Sequence, residues 1–178
     1  MNFSLDHHNP LKSTFTSEQD GVPLYKVDKH SSHIEIYKLV PSSNGSPQYT
    51  LMTQIELHSF HSDKVVLWGK EIRPLDVSGW TGSLTFPGVD GLPYKWKSDG
   101  SDYRLRNDSN KLETAFFDHG HDSLFSKSRD RLPVLRVHPD GLKILDQIIA
   151  TFVYLVKHES DSQTSATAGA VGGAAGAA

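Results

Sequence analysis

Hydrophobic and polar positions alternate with a period of two along most of the chain, the signature of half-buried β-strands. Over 32–39, Ile34 and Ile36 fall on one face and His33, Glu35 and Tyr37 on the other. Over 49–58, Leu51, Thr53, Ile55 and Leu57 point one way while Met52, Gln54, Glu56 and His58 point the other. Residues 13–16 and 22–28 read as a hairpin, because Asp20-Gly21 supplies the positive φ of a tight reversal. Further short strands are predicted at 64–68, 70–75, 111–118 and 132–138. Turn signals at Pro87-Gly88, Asp90-Gly91, Asp99-Gly100 and Gly120 recur at the spacing of all-β sandwiches and barrels.

The period changes once, at 142–157 (LKILDQIIATFVYLVK), which is apolar on nearly every side from Ile148 to Val156. Such a helix has to be enclosed by the rest of the fold. Asp140 is its expected N-cap. The pattern therefore predicts a mainly β (α+β) architecture, an antiparallel β-barrel or strongly curled sheet around a C-terminal hydrophobic helix. One domain is expected over 13–158, with its core helix at 141–158 and a flexible N-terminus at 1–12. Residues 159–178 are expected to be a disordered Ala/Gly-rich tail, since SATAGAVGGAAGAA has neither charge nor large side chains to anchor it. The apolar part of the helix is shorter than the roughly 20 residues of a membrane span, and Asp146 and Gln147 interrupt it.

Composition narrows the classes further. At 178 residues there is material for one sizeable core. Eighteen basic and 21 acidic residues give a formal charge of −3, so no global field draws the chain to nucleic acid. The absence of cysteine excludes disulfides, thiolate metal sites and cysteine nucleophiles. The N-terminus has no apolar secretory run, so an intracellular, cytoplasmic location is expected, peripheral at membranes if an anionic surface is the ligand. No Gly-x-Ser-x-Gly elbow and no phosphate-cradling glycine loop is present. No cofactor is expected.

The hairpin at 92–106 carries the most chemistry. With Asp99-Gly100 as its turn, Lys95 faces Arg104, Trp96 faces Tyr103 and Tyr94 faces Leu105. Lys95, Lys97, Arg104 and Arg106 then share the outward face, and like charges opposed across a ladder destabilise it. Such a face suits an anion, whether a phosphate head group, a phosphorylated partner or nucleic acid; the bland alternative is a solvated face neutralised by neighbouring carboxylates. Lys127, Arg129 and Arg131 form a second basic cluster. Asp118, His119, His121 and Asp122, with His58 or His61, are the alternative candidate set, for a metal. Asp146, a carboxylate on an enclosed helix, must find donors or protonate.

Several stretches together resemble a known family: 20–27 (DGVPLYKV), 55–63 (IELHSFHSD), 86–97 (FPGVDGLPYKWK), Leu145-Asp146 and 151–154 (TFVY). They look like the landmarks of an uncharacterised fungal domain-of-unknown-function family, over about residues 9–158. That family is in turn distantly similar to the tubby C-terminal and phospholipid-scramblase-like fold, which implies a closed barrel threaded by a hydrophobic helix. Tubby domains bind phosphoinositides through basic side chains on the barrel wall, so the resemblance implies ligand binding rather than catalysis. The expected function is a non-enzymatic domain binding anionic phospholipid or a phosphorylated protein. A metal-dependent hydrolase and a protein interaction scaffold displaying Trp80 are the alternatives.

Overall fold

Thirteen antiparallel strands and one long helix organise the described residues of the computed structural model, which are 1–42, 45–58, 63–73, 75–78, 82–120 and 131–171. The strands are β1 (Asn2–Leu5), β2 (Thr14–Ser17), β3 (Pro23–Lys29), β4 (His33–Val40), β5 (Gln48–Glu56), β6 (Lys64–Leu67), β7 (Lys70–Glu71), β8 (Asp76–Ser78), β9 (Ser83–Pro87), β10 (Pro93–Asp99), β11 (Asp102–Asn107), β12 (Glu113–Asp118) and β13 (Val134–Val137). The helix α1 (Leu145–Val171) follows a 3-10 turn at Pro139–Ile144. All strands join one sheet in the order 7-6-5-4-3-2-1-13-12-11-10-9-8. Two meanders thus meet where β1 pairs with β13.

The sheet wraps the helix. Phe152 packs against Phe15 of β2, Trp96 of β10 and Phe117 of β12, rings drawn from both meanders. Six consecutive helical residues, Ile148 to Val153, are 0 % exposed. A flat sheet covers one side of a helix only, so the sheet must curl about it. It does not close: β7 and β8 stay as edges, which corrects the barrel form of the expectation to an open, curled sheet. Between them Ile72 turns inward, with 7 % of its surface exposed, and its N–H still donates to Val65 O of β6 at 2.9 Å. No helix among the described residues is long and apolar enough to cross a membrane.

The ends of the chain depart most from expectation. Residues 1–12, predicted to be flexible, hold β1 in the middle of the sheet, with Phe3 and Leu5 buried and Asn2 and Ser4 turned outward. Four alternating residues are a weak signal alone and become a strand by pairing on both sides, to β2 and β13. Asn9 caps a short 3-10 turn at Pro10–Lys12, its Oδ1 accepting from Leu11 N at 2.9 Å. At the other end α1 runs on to Val171, past 158, where disorder was expected from 159. Extending a formed helix adds a hydrogen bond per residue without a new nucleus, and the alanines favour it. Residues 172–178 lie outside the described residues.

Elsewhere the alternation holds with local slips. Ile34 and Ile36 are fully buried. In β5 the register shifts opposite Ile36 and Tyr37, so that Met52 and Thr53 are both buried and Leu51 is 42 % exposed. This β-bulge reverses the predicted facing at the start of that strand. Asp140 does not cap α1; it lies in the 3-10 turn, and the helix begins at Leu145.

Candidate functional site

The hairpin β10–β11 turns at Gly100-Ser101, one residue later than predicted, with Gly100 at φ 68° as its first loop residue. Lys95 therefore opposes Arg106, Lys97 opposes Arg104 and Trp96 opposes Leu105. The pairing slips by two along the ladder, so every side chain keeps its predicted face. Tyr94, Trp96, Tyr103 and Leu105 are buried, and the four cations lie on the outer side. Trp96 fixes the strand from within, its Nε1 donating to Thr151 Oγ1 at 3.0 Å.

The four cations are not equivalent. Arg104 donates to Glu113 at 3.0 Å, lies 3.6 Å from Asp99 and sits over the Phe116 ring at 4.5 Å. The Glu113 hydrogen bond, with the charges of Glu113 and Asp99, raises its pKa against an opposing desolvation. Arg136, which sequence reasoning missed, shares this face: Phe116 is its register partner, and its guanidinium lies 5.8 Å from that ring. Only the topology brings β13 beside β12, so nothing local in the sequence marks it. Lys95, Lys97 and Arg106 have no ion pair among the described residues. Across the ladder to β12, Arg106 faces Glu113, the carboxylate bound by Arg104, and Asp108 has its pKa lowered chiefly by its hydrogen bond from Lys111 and further by Lys95 and Lys97.

Of the second basic cluster, only Arg131 falls among the described residues, where it pairs with Asp118; Lys127 and Arg129 lie outside them. Of the candidate metal set, Asp118 is engaged by Arg131, Arg136 and the Gly120 N–H. Burial opposes its ionisation, but those donors hold the pKa below the usual carboxylate range. His119 packs against Phe117 and His8, and His58 lies 3.8 Å from Glu56. His61, His121 and Asp122, like Trp80, lie outside the described residues.

Two loops frame one end of the wall. The β9–β10 and β11–β12 connections are tied together where Asp108 N donates to Pro93 O at 2.8 Å. They carry the exposed side chains Val89, Leu92 and Leu112. Hydrogen bonds hold the first loop: Val89 N donates to Gln147 Oε1 at 2.6 Å, and Asp90 accepts from Leu92 N and from Tyr94 OH. Burial and that carboxylate push the Tyr94 phenol up to about 12.

Beyond the first loop, a groove of about 390 Å³ runs along Leu67, Trp68, Ile72, Pro87, Val89 and Gln147 at the open seam. Its rim meets Asp146, which accepts from Tyr25 OH at 2.7 Å, Lys38 Nζ at 2.7 Å and Trp68 Nε1 at 2.9 Å. The enclosed carboxylate thus finds its donors, and burial with Asp146 raises the Tyr25 pKa strongly. Trp68 is left-handed at φ 50° in the β6–β7 turn and 47 % exposed. A bulky residue at positive φ is strained, and the bond to Asp146 holds it.

Comparison with known proteins adds a family without an activity. No curated protein matches the chain, and no solved structure does. The model of a family of unknown function, DUF6593, matches residues 8–161, spanning β2 to β13, the cationic wall and the buried part of the helix. The chain therefore belongs to the DUF6593 family.

Proposed function

We propose that this is a non-enzymatic binding domain that docks on anionic phospholipid head groups through the outer face of β10 and β11. The observation that carries the reading is the Lys95–Arg106 pair: two cations directly opposed across the ladder, with no ion pair among the described residues, in a chain of charge −3. Like charges so placed destabilise a sheet, and a bound anion removes the penalty. Lipid is favoured over a soluble phosphorylated partner by what flanks them, since Leu92 and Leu112 stand exposed on the adjoining loops. Apolar tips beside cations fit the boundary between head groups and acyl chains. The tubby-like likeness implied by the sequence is compatible with a sheet wound about a hydrophobic C-terminal helix, and it enters here as part of the proposal.

Vesicle flotation tests this. Wild type is expected to float with phosphatidylcholine vesicles containing a phosphoinositide and to remain behind with phosphatidylcholine alone. Lys95→Glu/Lys97→Glu/Arg106→Glu, with Arg104 kept for its contacts to Glu113 and Phe116, is expected to lose flotation. Equal recovery of the two proteins would remove the proposal.

A further inference from the structure

The turn between β3 and β4 gathers three metal-ligating side chains that the basic wall does not use. His30 and His33 flank Ser31-Ser32, and His30 N donates to His33 O at 2.9 Å, closing the turn. Their imidazoles stack, with centroids 4.4 Å apart and planes 17° apart. Glu35 follows two residues after His33 and so lies on the same outward face. His30 Nε2 is 3.4 Å from Glu35 Oε2, and His33 Nε2 is 3.8 Å from Glu35 Oε1. One ligand atom from each of the three lies within 4.8 Å of the others.

These spacings suit coordination. Donors about 2.0–2.2 Å from a tetrahedral Zn²⁺ stand roughly 3.3–3.6 Å from one another. The first separation meets that value, and the second and the imidazole pair, within 4.8 Å, reach it by rotamer changes in accessible side chains. Outer hydrogen bonds that orient such ligands are also in place. Tyr37 OH donates to Glu35 Oε2 at 2.7 Å, and Ser32 Oγ lies 3.4 Å from His33 Nδ1. Glu56, the register partner of His33 on β5, adds a carboxylate on the same face.

We propose that His30, His33 and Glu35 form a site for a divalent transition metal of the zinc class, with coordination positions left open to solvent. Two imidazoles and one carboxylate select zinc and its neighbours over magnesium and calcium, which take oxygen donors. The spacing His-x-x-His-x-Glu works because the turn sets the two imidazoles side by side and the strand period returns Glu35 to their face. The site is separate from the lipid-binding wall and does not depend on it.

Titration of the metal-stripped full chain with Zn²⁺, and with Co²⁺ for its d–d absorption, tests the assignment. Saturable uptake of one ion per chain is expected at neutral pH. His30→Ala/His33→Ala is expected to abolish uptake, and Tyr37→Phe to weaken it roughly tenfold or more while leaving the ligands themselves intact. Circular dichroism checks that the variants, all altered at accessible positions, remain folded. No saturable uptake by wild type would overturn the site. So would unchanged affinity in the folded double variant, since the ion would then sit on other histidines.

Discussion

Trp96 Nε1 donates to Thr151 Oγ1 at 3.0 Å inside the core, so the strand that presents Lys95 and Lys97 outward is fastened to the helix from behind. Thr151 Oγ1 in turn donates to Gln147 O at 2.6 Å. Replacing the hydroxyl with a methyl leaves the indole N–H buried without an acceptor. Thr151→Val is expected to lose about 1–3 kcal/mol of stability, the penalty of an unsatisfied buried donor. Urea denaturation measures it, and an unchanged midpoint would show that the indole finds another acceptor.

Asp146 gathers Tyr25, Lys38 and Trp68 at the start of the helix. Asp146→Ala strands a buried phenol and a half-buried ammonium together, and a loss of roughly 2–4 kcal/mol is expected. Asp146→Asn keeps an acceptor and should lose less. If the two variants denature at the same urea concentration, the carboxylate's hydrogen bonds contribute no more than its bulk.

Asp118 predicts a pH dependence. Its folded pKa lies below the unfolded carboxylate value, so its stabilisation is complete above that value and fades as pH falls through the folded one. Wild type should exceed Asp118→Asn by about 1.5 kcal/mol at pH 7, the low end for hydrogen bonds to a charged group because Arg131 and Arg136 are half-exposed. The gap should narrow below about pH 4. Denaturation midpoints at pH 7, 5, 4 and 3 check this; a constant gap would mean that the carboxylate's charge plays no part.

What was legible in the sequence was whatever repeats locally. Ile34, Ile36, Tyr94 and Trp96 bury as alternation requires, and the helix buries because Ile148 to Val153 offer no polar face beyond Thr151. The outward placement of Lys95, Lys97, Arg104 and Arg106 survived a misplaced turn because an even slip in pairing preserves faces. What was illegible depends on pairing distant in sequence. Asn2–Leu5 is a strand only because β13 and β2 flank it, and Arg136 reaches the wall only through Phe116. Leu51 turns outward because of a bulge that no composition announces. His30 and His33 were readable as a spaced pair, but ten histidines in one chain hid the spacing.

The open seam also bears on how the molecule behaves at high concentration. An unclosed sheet of thirteen strands carries two rows of unpaired backbone groups that could recruit another copy and seed aggregates. Here the outermost members are the shortest, two residues in β7 and three in β8. Stubs of that length offer a neighbouring molecule few hydrogen bonds to grip.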